Sequence, residues 1–295
     1  ALKTVCALAP TAVAASALEL ARFSTPPRID GVLDDSTWRM AAYSDGFRQV
    51  VPQQDATPTE RTELWLGYDS DMFYVAVRCH DSDPSAIRGV TMQRDQDNHA
   101  DDLVRIALDT FDRQNDGYYF SLTPVGGKQD GLIENRERQN KQWDALWHGR
   151  ARIDSTGWSA EFAIPLKSLA FDPAHGVWGF DVERVIRSKQ ETVRWAGRSR
   201  IKLVTSLPDL GKVSGLVGLR QGRGIDFKPY ATATHRGASA TAQKEWELNP
   251  GFDLVWHVTP KLAATLTVNT DFADADVDER EVNLTRFSLF FPEKR

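Results

Sequence analysis

The chain is poor in cysteine, in histidine pairs and in long apolar runs, and each shortage removes a class of explanation. Its two cysteines are Cys6 and Cys79. If Cys6 leaves with a processed leader, no intramolecular disulfide can form and stability has to come from a packed core. The six histidines, at positions 80, 99, 148, 175, 235 and 257, show no His-x-x-x-His or Cys/His zinc spacing. A Gly-x-Ser-x-Gly elbow and a phosphate-cradling glycine loop are both missing, so serine-hydrolase and nucleotide chemistry have no carrier. After the first residues no stretch approaches roughly eighteen consecutive apolar residues, which rules out a membrane-spanning helix. Positive charge is also in deficit: 36 Lys and Arg stand against 41 Asp and Glu. The resulting net charge of -5 repels a polyanionic backbone and excludes nucleic acid as a partner.

What the chain does have is apolar bulk. With 295 residues and 41% hydrophobic content it can hold one large or two ordinary domains with a sizeable core. Lys3, the Ala-rich stretch Val5 to Ala15 and the small-x-small run Ala15-Ser16-Ala17 read as a secretory signal over residues 1–17. Further on, Trp158, Ala160, Phe162 and Ile164 alternate with Ser159, Glu161 and Ala163, a period of two that buries one face of a strand. Pro165 then ends the ladder, having no amide hydrogen to donate. Near the start, Ile29-Asp30-Gly31 and Asp34-Asp35-Ser36 lead through a turn to an anchoring Trp38.

Between about 22 and 200 the chain reads as short strands separated by Gly, Asp, Asn and Pro clusters. The candidates are 62–68, 72–80, 102–109, 117–123, 146–153, 157–164, 179–187 and 191–195, with helical turns at 36–42 and 166–169. This spacing predicts an all-β, antiparallel, jelly-roll-like β-sandwich. Cys79, in an alternating strand, reads as a small buried hydrophobe. Six glycines between 197 and 224 punctuate a connecting region, taken as a linker over 201–224. From 225 to 295 longer dyads appear, such as Leu262, Ala264, Leu266 and Val268 against Ala263, Thr265, Thr267 and Asn269. They suit either a half-exposed sheet or transmembrane barrel strands. Too few strands follow to close a barrel, so the chain is expected to be a fragment.

Several pieces in order resemble the family 9 carbohydrate-binding module. They are Ile29-Asp30-Gly31-x-Leu33-Asp34 with Trp38, Asp101-Asp102 with Leu108-Asp109, Gly117-Tyr118-Tyr119-Phe120 and Asp130-Gly131. Trp143-Asp144-x-x-Trp147, Gly157-Trp158 with Glu161 and Ile164-Pro165, and Trp178-Gly179 with Arg184 complete the set. Coverage is about residues 26 to 198. The segments 268–272, 282–287 and 290–295 are similar to the start of outer-membrane proteins that carry such a module. The resemblance implies an exported module in a Gram-negative envelope, joined to the first strands of an outer-membrane β-barrel. Its implied partner is a glycan or oligosaccharide, with a place in carbohydrate catabolism.

A sugar site needs apolar ring faces and planar groups that bond vicinal hydroxyls. Trp143, Trp147 and Trp195, near loops or strand ends, are the candidate platforms, with core packing as their alternative. Arg94, Asn98, His99 and Arg105 are the candidate polar partners. In the resemblance, Asn98-His99 stands where sugar-binding relatives carry a Trp, and Arg105 where they tend to carry Glu. An envelope structural or interaction domain that has lost sugar binding is therefore the alternative function. Asp95, Asp97, Asp101 and Asp102 offer hard oxygen ligands for calcium, against a merely solvated acidic loop. A glycoside hydrolase is a third reading, but no carboxyl pair stands out in an apolar setting.

Overall fold

The computed structural model describes residues 16–96, 98–220, 225–236, 245–259 and 262–269. The chain divides into a unit up to Gly222 and a second unit from Arg223.

The first unit is built from β1 (Ala17–Glu19), β2 (Ala21–Arg22), β3 (Ala42–Ser44), β4 (Arg48–Val51), β5 (Thr62–Tyr68), β6 (Met72–His80), β7 (Leu103–Asp109) and β8 (Gly117–Leu122). It continues with β9 (Lys128–Glu134), β10 (Arg138–Asn140), β11 (His148–Asp154), β12 (Gly157–Pro165), β13 (Val177–Ile186), β14 (Glu191–Arg194) and β15 (Gly211–Ser214). The larger sheet runs β1-β15-β13-β7-β8-β9-β10, with β14 and β4 attached beside β13. The smaller runs β11-β12-β6-β5-β2, with β3 beside β5. Pairing is antiparallel except for β1 on β15 and β2 on β5. This is the expected all-β sandwich.

The two sheets bury the alternating residues that the sequence pattern singles out. Val104, Ile106 and Leu108 of β7, Phe120 and Leu122 of β8, and Phe180 and Val182 of β13 meet Trp158, Phe162, Phe73 and Val75 from the smaller sheet. Each such side chain contributes about 1.5–3 kcal/mol on burial. Cys79 is fully buried in this layer, and burial pushes its thiol up to about 11, which keeps it protonated and inert. Arg184 crosses the core. Its guanidinium donates to the carbonyls of Arg61 (3.1 Å) and His80 (2.7 Å) and to Thr62 Oγ1 (3.2 Å), tying β13 to the ends of β5 and β6.

The two sequence signatures turn out to be halves of one contact. Glu161, on the outer face of β12, accepts from the amides of Asp30 (2.9 Å) and Gly31 (2.7 Å) and from Trp38 Nε1 (3.0 Å). Ser159 Oγ donates to the Gly31 carbonyl at 2.6 Å. Gly31 sits at φ +87°, and a Cβ there would lie 3.0 Å from Ala151, so the loop needs glycine to approach β11. Trp38 packs edge-on against Phe23, with ring centroids 5.9 Å apart. Burial pushes the Glu161 carboxyl up to about 7, outweighing the pull of its three donors.

Two expected boundaries move. Residues 1–15 of the expected leader lie outside the described residues, but Ser16 and Ala17 belong to the sandwich. Ser16 Oγ donates to the Trp195 carbonyl (3.0 Å), and Ala17 pairs with Lys212. The stretch read as a linker completes the domain as far as residue 220. Leu207, Leu210, Val213, Leu216 and Leu219 are all buried. Their three-residue spacing between glycines matches neither the helical nor the strand period, so only tertiary packing reveals them.

The second unit is an antiparallel meander of β16 (Ile225–Arg236), β17 (Glu245–Thr259) and β18 (Leu262–Val268). The described residues contain no closed barrel.

Candidate functional site

The outer face of the larger sheet carries an unusual set of side chains. Along β7 the inward Val104, Ile106 and Leu108 leave Arg105 and Ala107 pointing outward, and β8 likewise directs Tyr119 and Ser121 outward. The β13 register sets Glu183 opposite Arg105 on one side and opposite Arg194 of β14 on the other. Two segments cross this face. The 203–210 segment lays Val204, Leu207 and Leu210 over Ala107, Tyr119 and Ile133. At the other end Asn98, itself buried, brings its amide nitrogen 3.5 Å from Ser121 Oγ. Between them lies a largely buried polar strip of Arg105, Glu183 and Arg194, with Tyr119 beside it under the 203–210 segment.

Arg194 grips Glu183 Oε2 through Nε (2.8 Å) and Nη2 (2.7 Å), a side-on fork in a largely dry setting. Arg105 is paired far more loosely, with Nη1 3.7 Å from Glu183 Oε1. Burial pushes the Tyr119 phenol up to about 12, against the pull of the neighbouring Arg105. Asp181, two residues before Glu183, is fully engaged by the amides of Val182 (2.7 Å), Ala196 (2.8 Å) and Gly197 (2.8 Å). Burial raises its carboxyl to about 7. Such planar guanidinium and carboxylate groups suit hydroxyl and carboxylate ligands.

The expected residues divide. Arg105 forms part of the strip, Asn98 ties the 88–102 loop to it, and His99 lies exposed on that loop. Trp147 and Trp195 are corrected: neither offers a ring to a ligand. Trp147 is 5% exposed, stacked on Phe162 at 5.6 Å with its rings 9° from parallel, and donates through Nε1 to Asp130 (3.1 Å). Trp195 is 2% exposed, packs against Phe180 and donates through Nε1 to Ser44 Oγ (3.0 Å). Trp143 is half-buried against Tyr118, 5.1 Å between centroids. The apolar area of an indole is more stabilising inside the sandwich than at its rim, and Trp147 and Trp195 each find an acceptor for the N–H. Glu183, Arg194 and Tyr119 stand outside the sequence-based expectation, because only the strand register brings them beside Arg105.

The expected calcium residues fall in different surroundings. Asp101 is buried and accepts from the amides of Val90 (2.9 Å) and Thr91 (2.9 Å), and Asp102 accepts from the amide of Arg187 (2.8 Å). Asp97 lies outside the described residues. Asp95 instead joins Asp130 and Asp144, whose carboxylate oxygens all lie within 4.8 Å of one another. A cation already serves that trio. Arg94 reaches Asp95 through Nε (3.1 Å) and Asp130 (2.7 Å) and Asp144 (3.1 Å) through Nη2. Among the described residues, Asp95, Asp101 and Asp102 are each engaged by separate partners, and Arg94 is a structural counter-charge at the β9 edge. Elsewhere, an open depression of about 480 Å³ lined by Arg22, Phe23, Ser24 and Asp69–Asp71 holds none of the expected residues.

No family model matches the chain, and no curated protein does. Solved structures do share its fold. A family 9 carbohydrate-binding module from Caldicellulosiruptor kristjanssonii, solved with glucose, is 16% identical with a TM-score of 0.50, covering 70% of this chain and 98% of that one. A Bacteroides uniformis protein named for carbohydrate binding is 10% identical with a TM-score of 0.55, covering 68% and 99%. The sandwich of this chain has the fold of those carbohydrate-binding modules.

Proposed function

We propose that the sandwich is a non-catalytic carbohydrate-binding module whose ligand lies over the outer face of the larger sheet, where Arg105 keeps part of its side chain exposed and Glu183, Arg194 and Tyr119 form a buried support beneath it. The observation that carries this reading is a row of planar, hydrogen-bonding side chains on one sheet face, framed by two crossing segments. Such groups bond vicinal hydroxyls in pairs, and their rigid surroundings limit the ordering cost on binding. The shared fold with carbohydrate-binding modules adds support. Calorimetric titration of the full chain with mono- and oligosaccharides tests it. Saturable heat that weakens in Glu183→Gln supports the site; no heat with any sugar, or indifference to that change, rejects it.

We further read the chain as exported to a Gram-negative envelope, with the strands after 225 seated in the outer membrane and the bound glycan destined for catabolism. The support is the one-sidedness of the meander. Phe227, Leu254 and Leu266 share one face with Phe252 and Val268, while Lys228, Asp253 and Thr267 occupy the other. Phe227 and Leu266 are more than half exposed, at 58% and 54%. Lipid-facing strands alternate in this way and need about 9–11 residues to span, fewer than the 12 and 15 of β16 and β17. Partition of the chain into the detergent phase supports this, and release from that phase in Leu254→Asp with Leu266→Asp is its control. Recovery only in a soluble fraction contradicts it.

A second reading, an envelope interaction domain without sugar affinity, is favoured by the burial of Trp147 and Trp195, which removes two stacking platforms. It predicts a protein partner in pull-downs and blank sugar arrays.

A further inference from the structure

One edge of the smaller sheet is open. β11 ends that sheet and, among the described residues, pairs with β12 alone. The alternation of an antiparallel ladder fixes which of its backbone groups stay unpaired. The His80 amide bonds to Arg61 on the β5 side and the Asp81 amide to Thr156, so Cys79 and Val77 bond to β12 at Trp158 and Ala160. Ser159 and Glu161 then bond to Arg152 and Arg150, which turns the amides and carbonyls of Ala151 and Ile153 outward. Among the described residues no backbone group bonds them. The Gly31 turn reaches β11 from the β12 side, through Glu161 and Ser159, and adds no backbone bond to this edge.

The side chains of β11 alternate as well. Ala151 packs toward the core, while His148, Arg150 and Arg152 are exposed on the outer face. On a chain of net charge -5 this row is locally basic, and no ion pair joins it to a described carboxylate. The acids around it are engaged elsewhere. Arg78 holds Asp154 through two bonds of 2.7 Å, Arg28 holds Asp30 at 2.6 Å, and Glu161 serves its three donors. Arg150 Nη1 donates only to the Gly149 carbonyl, at 3.2 Å. Burial holds the Lys128 ammonium below its usual range, and the charges of Arg150 and Arg94 push it the same way, so a further cation stands near Arg150.

We propose that the free edge of β11 accepts an extended acidic segment of a partner protein as an added strand. Its carboxylates, at alternate positions, face His148, Arg150 and Arg152, and its apolar residues lie beside Ala151 and Ile153. Alternate residues of any strand recur about every 6.6–6.8 Å, so the two rows of charge stay in step along the pair. Backbone bonds to Ala151 and Ile153 hold the segment, and the charge row selects it. Two copies of β11 would set like charges face to face, which disfavours self-pairing and leaves the edge to an acidic partner. The inference is independent of the carbohydrate-binding reading, whose site lies on the other sheet.

The test is fluorescence polarisation of the full chain with a labelled synthetic peptide of about nine residues in which Asp and Val alternate. Binding should saturate, weaken as salt rises, and fall at least tenfold in Arg150→Glu with Arg152→Glu. Ala151→Pro removes an outward amide without touching the β12 ladder, a change an edge strand tolerates, and should weaken binding by a similar factor. Two control peptides complete the set: one of the same composition with its Asp residues in a single block, and one N-methylated at alternate amides. Both are expected to bind at least tenfold more weakly. Equal binding of the block peptide, or of an acidic oligosaccharide, would overturn strand addition in favour of simple charge attraction. Absence of saturable binding, or indifference to both arginine substitutions, would overturn the site itself. Melting temperatures establish that the variants fold; if either does not, the N-methylated peptide on the unaltered chain decides the matter.

Discussion

Replacing Glu161 by Ala should open the clasp that holds the N-terminal turn against β12. The substitution strips the acceptor from three donors: the Gly31 amide, the Trp38 indole and the Asp30 amide. Gly31 and Trp38 are buried, and Asp30 is exposed, where water can replace the lost bond. A buried donor left unbonded costs about 1–3 kcal/mol, so two give roughly 2–6 kcal/mol. Removing a carboxyl that burial itself disfavours offsets part of this, leaving an expected loss of about 3 kcal/mol. For a domain of this size that is a fall of roughly 6–12 °C in melting temperature. Urea denaturation followed by tryptophan fluorescence reads the loss, with Glu161→Gln, which keeps one oxygen acceptor, falling between the variant and the parent. A Glu161→Ala protein within about 0.5 kcal/mol of the parent would refute the clasp as a stabilising contact, since that is the range of an ordinary surface change.

Trp147→Ala should cost about 3–5 kcal/mol of stability, as for other buried aromatics, and calorimetry on the surviving folded fraction should show sugar affinity unchanged. A fully stable variant that loses only binding would restore Trp147 as a platform. Glu161 and Asp181 both hold their protons more tightly folded than unfolded, with burial raising each to about 7. Their contribution is therefore full below the ordinary carboxylate range and is lost as pH rises through about 7. Melting temperature should decline between pH 5 and pH 8, with a flatter profile in Glu161→Gln with Asp181→Asn; an unchanged slope in that double variant would contradict it. Gly157→Ala should destabilise strongly, because at φ +140° a Cβ would come within 2.1 Å of the Cys79 carbonyl; a melting temperature equal to the parent's would show that the hairpin yields.

Strands with clean alternation are legible from their pattern alone. The ranges 62–68 and 72–80 match β5 and β6 to the residue, and Trp38 and Trp158 are core anchors as their patterns implied. β9 is not legible in this way, because Lys128-Gln129-Asp130-Gly131 is polar on both faces. Its Asp130 is buried only because Ala145, Trp147 and Arg94 converge on it from elsewhere in the chain. The tryptophans mislead for a related reason. Proximity to a loop in sequence says little about which way a ring turns, and the indoles of Trp147 and Trp195 turn inward. Conversely, Glu183 and Arg194 are eleven positions apart and look unrelated until the β13–β14 register sets them face to face. Charge pairing across strands is fixed by register, which single-sequence patterns do not encode.

The most direct test observes the arginine Nε–H resonances of the full chain by NMR during titration with an oligosaccharide. The signals of Arg105 and Arg194, assigned by their loss in single Gln variants, should shift together and saturate, while that of the core-buried Arg184 stays fixed. Saturation of the protein with sugar while Arg105 and Arg194 remain unmoved would contradict binding at this face.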